Sequence, residues 1–114
     1  MKRTKGTITH CALAFVLAAF PLLAAADGNP LAGKEKAKVC EACHGLDGKS
    51  VDPSYPNLAG QYESYLQKSL GDYRSGRRQN AIMAGFAGNL TDQDIKDLAA
   101  WYASQEGLKD LSIK

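Results

Sequence analysis

Three stretches of the chain carry apolar or small residues at helical spacing. Small residues recur at intervals of four and three from Gly33, which predicts a first helix over residues 33–43. A second stripe predicts an amphipathic helix that ends at Gly76. Its positions are Tyr62, Tyr65, Leu66, Ser69, Leu70 and Tyr73. A third helix is predicted to begin at Thr91 and to stop at Gly107. Its stripe consists of Ile95, Leu98, Ala99 and Tyr102.

The segments between these helices are rich in glycine, proline and asparagine. Residues 45–60 contain three glycines and two prolines, and residues 76–90 contain three glycines and two asparagines. Both segments are therefore predicted to be loops. No alternating strand pattern is present, so the sequence predicts a small all-α domain.

The first 26 residues have the three regions of a secretory signal. Basic residues near the N-terminus precede an apolar run over residues 12–23, and Ala24 and Ala26 supply the small residues of a cleavage site. We expect a cut before Asp27, so that residues 1–26 are a signal peptide and residues 27–114 are one exported domain. A retained anchor is the alternative. The apolar run is shorter than the roughly 18 residues of a membrane-spanning helix, so no stable membrane insertion is expected after cleavage.

Charge and size narrow the class of protein. The chain has 14 basic and 12 acidic residues, and removing the signal leaves 11 basic residues and a net charge of −1. No basic cluster suited to nucleic acid remains, so no nucleic acid is expected as a partner. A domain this small is only marginally stabilised by its core, and a covalent or metal-based constraint is expected.

The motif Cys40-Glu-Ala-Cys43-His44 supplies that constraint. It is the C-x-x-C-H pattern of c-type haem attachment, in which two thiols on one helical turn add to the two vinyl groups of the porphyrin. The adjacent His44 then lies under the iron and can ligate it. The sequence therefore predicts one covalently bound haem c, attached through Cys40 and Cys43.

Three other interpretations of these residues are possible. A thioredoxin-like redox pair needs a preceding strand, and none is predicted before Cys40. A disulfide between Cys40 and Cys43 is the second. Half of a zinc site is the third, and it lacks partners because the other histidine, His10, lies in the signal. The motif together with the export signal favours haem.

Few side chains of the exported domain could bind the second face of the iron. After cleavage Met83 is the remaining methionine, and no second histidine is available. Thioether ligation favours ferrous iron and raises the reduction potential. An ordinary core methionine is the alternative, although small neighbours such as Ala84 and Gly85 would allow close approach to a porphyrin. We expect His44 and Met83 as the two iron ligands.

Several segments beyond the haem motif match one known family. They are Cys40-Glu-Ala-Cys43-His44-Gly45, Tyr55-Pro-Asn-Leu-Ala-Gly-Gln61, Tyr65-Leu66, Tyr73-Arg-Ser-Gly-Arg-Arg-Gln-Asn80, Met83, and residues 90–102. In these residues the chain resembles a class I c-type cytochrome of the short bacterial kind that also forms each half of di-haem periplasmic cytochromes c. The resemblance implies an all-α fold of three to four short helices wrapped around one haem.

The resemblance also implies roles for individual residues. Pro56 would offer its carbonyl to the free imidazole nitrogen of His44, and Leu58 would pack on the haem. Gly33 would allow the first helix to cross closely against the last helix near Tyr102.

The function implied is one-electron transfer in the periplasm. Such a domain shuttles electrons between a donor and an acceptor through transient contacts, and it makes no bond in a substrate. A haem subunit of a larger dehydrogenase or oxidase complex is the alternative. An enzymatic or gas-sensing role would require Met83 to leave the iron.

Overall fold

A computed structural model describes Met1 and residues 27–108 of the chain, and across that part it contains helices and turns but no strand. The helices are α1 (Pro30–Lys36), α2 (Glu41–His44), α3 (Glu63–Ser75), α4 (Ala81–Ala87) and α5 (Asp92–Ala103). Among these described residues four helices have seven residues or more, and α2 is a single turn. Residues 2–26, with most of the predicted signal, lie outside the described part, and the signal stays a prediction.

The first predicted helix is divided into two, and it begins earlier than predicted. Asn29 caps α1, because its side-chain oxygen accepts hydrogen bonds from the backbone N–H groups of Leu31 (2.9 Å) and Ala32 (3.2 Å). Pro30 then occupies the first helical position, where its missing N–H costs nothing. A 3-10 turn over Ala37–Val39 joins α1 to α2. Its three residues per turn preserve nearly the same side-chain spacing, so the sequence pattern did not reveal the break.

The other helix ends depend on local signals. Gly76 ends α3 with a left-handed φ of 77°, as predicted. Thr91 begins α5 with a reciprocal capping box, in which its hydroxyl accepts from the Asp94 N–H and the Asp94 carboxylate accepts from the Thr91 N–H. The predicted stop of this helix at Gly107 was four residues late. Gly107 instead packs against the loop over residues 45–60, where a Cβ atom on Gly107 would lie 2.3 Å from the Ala59 carbonyl oxygen.

The prediction of a continuous loop over residues 76–90 was wrong. Asn80 caps α4 by accepting a 3.0 Å hydrogen bond from the Met83 N–H, and Gly88 keeps a helical φ of −57° at the other end. The inward face of this helix is narrow and consists of Ala87, which is buried, and of the half-buried Met83 and Ala84, whereas the larger Ile82 and Phe86 are 61% and 51% exposed. Because the large apolar residues of α4 are on its exposed face, hydrophobic periodicity did not identify the helix.

The α5 helix is the centre of the fold, with α1 and α3 packed against it. Gly33 makes the α1 crossing possible, because a Cβ atom there would lie 2.0 Å from the Asp97 carbonyl oxygen and 2.8 Å from the Trp101 Cβ. The close crossing expected from the family is therefore present, at Asp97 and Trp101. The core cluster consists of Ala37, Leu66, Leu98, Ala99 and Tyr102. Within the described residues, no helix is long and apolar enough to cross a membrane.

Candidate haem site

The two cysteines and His44 are presented by one helical turn. Cys40 is the N-cap of α2, and its carbonyl oxygen accepts hydrogen bonds from the N–H groups of Cys43 (3.3 Å) and His44 (3.0 Å). Both thiols are unbonded and half-buried, so Cys40 and Cys43 do not form the disulfide considered from the sequence. Gly45 ends the turn with a φ of 73°. The motif therefore holds two thiols and one imidazole in a fixed order on a short, rigid segment.

The imidazole of His44 is oriented by a backbone carbonyl. His44 is only 6% exposed, and its Nδ1 lies 2.9 Å from the Pro56 carbonyl oxygen. A carbonyl oxygen can only accept a hydrogen bond, so Nδ1 carries the proton and donates. The lone pair of the neutral ring is then on Nε2, the atom free to bind a metal ion. The Tyr55 ring and the imidazole are arranged edge-to-face, with their centroids 6.4 Å apart and their planes inclined by 62°.

The loop over residues 45–60 is held against α5, which fixes the position of Pro56. The Gly48 carbonyl oxygen accepts hydrogen bonds from the N–H groups of Leu58 (2.7 Å) and Ala59 (3.1 Å). The Gly60 N–H donates to the Tyr102 carbonyl oxygen at 2.9 Å, and the Trp101 indole N–H donates to the Leu46 carbonyl oxygen at 2.7 Å. Both ends of the loop are therefore attached to the central helix.

A cavity of about 160 Å³, open to solvent, separates this loop from α3 and α4. Five of the six residues predicted for the site border it: Cys40, His44, Pro56, Leu58 and Met83. The sixth, Cys43, does not line the cavity, although it belongs to the same helical turn as Cys40. Its neighbour is Tyr55, whose pKa is raised by the Cys43 thiol.

The walls of the cavity suit a flat, largely apolar group. Leu66 and Leu70 of α3 and Leu98 and Ala99 of α5 supply apolar surface. The Tyr102 hydroxyl is buried without a nitrogen or oxygen partner among the described residues and lies beside the Cys40 thiol. Burial raises the pKa of Tyr102 and also that of Cys40, so both groups are neutral at pH 7. Two thiols, an imidazole, a thioether and leucine walls are a set of residues that fits covalently bound haem.

Sequence reasoning missed the polar part of the lining. Tyr65, Ser69 and Arg78 border the cavity, and none was predicted as a site residue. Tyr65 was assigned to the stripe of α3, and Arg78 had no periodic signal. The only available signal for Arg78 was its place in the family-like segment that precedes Met83.

Comparison with known proteins agrees with this geometry. A family model described as Cytochrome c matches residues 26–106. The chain is 51% identical over 84 residues to cytochrome c4 of Pseudomonas aeruginosa, covering 74% of this chain and 42% of that protein. It is 48% identical over 82 residues to cytochrome c-554(548) of Halomonas halodenitrificans, covering 69% of this chain and 99% of that protein.

A solved structure of a cytochrome c4 is also similar to this chain in fold and sequence. The crystal structure of reduced recombinant cytochrome c4 from Pseudomonas stutzeri matches with a TM-score of 0.67 and 43% identity, over 71% of this chain and 47% of that one. The chain thus spans about half the length of the cytochrome c4 relatives and nearly all of cytochrome c-554(548). The all-α class I cytochrome c fold and the covalently bound haem c predicted from the sequence are confirmed. The chain belongs to the cytochrome c family.

Proposed function

We propose that this protein is a periplasmic one-electron carrier whose haem iron is bound by His44 and Met83. The observation that carries the proposal is that both side chains, from separate helices α2 and α4, border one cavity beside the Cys40 thiol. The bound haem supplies an iron that alternates between the ferric and ferrous states. Cys40 and Cys43 attach it through thioether bonds, so that it is not lost between encounters.

The residues around His44 and Met83 would hold both ligands in place whichever oxidation state the iron had. His44 is held by its hydrogen bond to the Pro56 carbonyl, which also makes Nε2 a better donor to iron. Met83 lies in the first turn of α4, and its backbone is held by the Asn80 cap. A carrier gains from such fixed ligands, because little nuclear rearrangement then accompanies each electron transfer. The thioether of Met83 favours ferrous iron and raises the reduction potential.

The remaining parts of the proposal concern location and partners. The signal pattern of residues 1–26 supports export to the periplasm. Donor and acceptor proteins are expected to bind transiently through small interfaces, because a carrier must leave each partner rapidly. If His44 and Met83 both bound the haem iron, they would leave it no open position for a substrate, and we propose no enzymatic reaction.

The test begins with the protein expressed with export and haem maturation. Intact mass is expected to equal the chain from residue 27 plus one haem, and the reduced visible spectrum is expected to be that of a low-spin c-type haem. The ferric protein should show the near-infrared sulfur-to-iron absorption band. A missing band would refute Met83 as a ligand. Purification as a stable complex with a second protein subunit would instead support a subunit of a larger redox complex.

A further inference from the structure

Three arginines, Arg74, Arg77 and Arg78, lie at and just after the end of α3, and two of them have carboxylate partners. Arg74 donates to the Asp92 carboxylate at 2.6 Å and to the Leu90 carbonyl oxygen at 2.9 Å. The Nε of Arg77 donates to the Asp72 carboxylate at 2.8 Å. Arg74 therefore links α3 to the start of α5, and Arg77 binds a carboxylate near the end of α3.

Arg78 differs from both in its surroundings. It borders the haem cavity, and among residues 27–108 no carboxylate lies within ion-pair distance of its guanidinium. Its contacts are with neutral groups. The guanidinium carbon lies 4.8 Å from the centre of the Tyr73 ring, and Nη1 lies 3.4 Å from the Ser69 hydroxyl. A positive charge is therefore present at the cavity without an anionic partner from the described part of the protein.

The backbone presents Arg78 in a defined position. Gly76 turns the chain with a φ of 77°, and the Arg78 N–H then donates to the Asp72 carbonyl oxygen at 3.0 Å. The Tyr73 ring supports one face of the guanidinium. A hydrogen bond with Arg78 also lowers the pKa of Tyr65, whose ring borders the same cavity. The contacts with Ser69 and Tyr65 leave other guanidinium donors free for a further acceptor.

Haem carries two propionate carboxylates, and a guanidinium is the side chain whose donors best match a carboxylate. We propose that Arg78 is the counter-ion of a haem propionate and that this pairing raises the reduction potential of the iron. A positive charge near the haem favours the ferrous form, which has one positive charge fewer on the iron. The proposal rests on the proposed function only in requiring a functional redox haem, and it does not depend on which residue binds the second face of the iron.

The other charged and titratable groups near Arg78 cannot replace it as the counter-ion. Asp72 is the nearest acidic residue in sequence, but its carboxylate is already bound by Lys68 and Arg77. Tyr65, Tyr73 and Tyr102 border the cavity from α3 and α5. A phenol can donate a hydrogen bond to a propionate, but it cannot supply a positive charge.

The test compares Arg78→Gln with Arg77→Gln in the purified haem-containing protein. Both variants remove one positive charge, and Arg77 does not line the cavity. The midpoint potential is expected to fall in Arg78→Gln by at least twice the change in Arg77→Gln. Arg77 and Arg78 are both exposed, so the two variants are compared at the same low ionic strength, at which neither charge is strongly screened. The propionate bending band in the resonance Raman spectrum should shift in Arg78→Gln alone.

Arg78→Lys is the second variant, since it keeps the charge but offers a single ammonium group. It is expected to fold, to shift the propionate band and to lower the potential less than Arg78→Gln. Equal potential changes in Arg77→Gln and Arg78→Gln, or an unchanged propionate band, would overturn the proposal. So would an effect of Arg78→Gln confined to the rate of electron transfer with a partner protein.

The near-infrared band separates this proposal from the proposed function. If wild type lacks that band while Arg78→Gln still shifts the propionate band and the potential, the Met83 assignment fails and the Arg78 assignment holds. If the near-infrared band is present and Arg78→Gln changes neither the propionate band nor the potential, the Met83 assignment holds and the Arg78 assignment fails.

Discussion

Met83 is the residue whose role depends most on what surrounds it. A methionine taken from a sequence at random is most often a core residue. Here it lies in the first turn of α4 and borders the same cavity as His44. The sequence could propose it by elimination, but only the packing of α4 against α3 brings it to the cavity.

We expect Met83→Ala to lower the reduction potential and to allow carbon monoxide to bind the ferrous protein. Loss of the thioether removes the ligand that favours ferrous iron and leaves one face of the iron open. Spectroelectrochemistry and a carbon monoxide difference spectrum measure the two effects. The neighbouring Ile82→Ala is the control, since Ile82 is 61% exposed and does not border the cavity. A Met83→Ala variant with the wild-type potential would contradict the ligand assignment.

At the scale of elements, α4 depends on its N-cap because it is short and buries little. Asn80→Ala removes the side-chain oxygen that accepts from the Met83 N–H, which costs about 1–2 kcal/mol of helix stability. If Asn80→Ala destabilises the state in which Met83 binds the iron by this amount, added imidazole should displace Met83 more easily. Its affinity for the ferric haem is then expected to rise about 5- to 30-fold. An imidazole titration monitored by the near-infrared band measures the change.

The control for this cap is Asn80→Asp, which keeps an oxygen acceptor at the same position. We expect its imidazole affinity to stay close to that of wild type. Equal affinities in Asn80→Ala and wild type would show that the cap does not hold Met83.

The crossing of α1 and α5 depends on the missing side chain of Gly33. A Cβ atom there would lie 2.0 Å from the Asp97 carbonyl oxygen, so Gly33→Ala must push the two helices apart. We expect a loss of about 1–3 kcal/mol or more in the free energy of unfolding. Denaturation in guanidinium chloride measures it.

Gly71→Ala is the matched control for Gly33→Ala. Gly71 is also helical, in α3, but an added Cβ atom would meet nothing within 4 Å. Alanine has the higher helix propensity, so this variant is expected to be more stable by about 0.5–1 kcal/mol. Similar stability changes at both glycines would contradict the close crossing of α1 and α5.

At the scale of the whole molecule, an ionic cluster fastens the N-terminal helix to α5. Asp97 is 3% exposed, and its carboxylate accepts from the Asn29 N–H (2.8 Å), from Gln93 (2.8 Å) and from the Lys36 ammonium (2.5 Å). Burial raises the pKa of Asp97, but these hydrogen bonds outweigh it, so the pKa lies below its usual value. Lys36 also pairs with Asp94 at 2.7 Å and lowers the pKa of Asp94 to about 2.

This cluster predicts a dependence of stability on pH. The folded-state pKa of Asp94 is about 2, below its usual value of 3.8, so its contribution is fully present above about pH 4. It is lost as the pH falls toward 2, where the carboxylate becomes protonated in the folded protein. Asp97 acts in the same direction. We expect the free energy of unfolding to fall across this window in wild type and to fall less in Lys36→Gln.

Lys36→Gln is also expected to lose about 1–3 kcal/mol of stability at pH 7, because the buried Asp97 loses a charged partner. Lys38→Gln is the control, since the Lys38–Glu35 pair is exposed at both ends and should contribute little. Denaturation curves at several pH values distinguish the two variants. Parallel pH profiles for wild type and Lys36→Gln would refute the role of the cluster.

The sequence alone determined the features that depend on near neighbours in the chain. The spacing of Cys40, Cys43 and His44 defines a haem-attachment turn wherever that turn lies in the fold. The cap at Thr91 and the left-handed end at Gly76 are likewise encoded within a few residues. For the same reason the class I fold could be inferred from motifs, whereas α4 was missed because its two large apolar residues other than Met83, Ile82 and Phe86, are exposed.

Only the tertiary structure decided the contacts between residues far apart. The Pro56 carbonyl meets His44 across 12 residues, and Asn29 meets Asp97 across 68. Arg77 and Arg78 are adjacent in sequence, yet one pairs with Asp72 and the other borders the cavity. Local spacing cannot distinguish such neighbours, because the partner of each side chain is set by how the helices pack around the haem cavity.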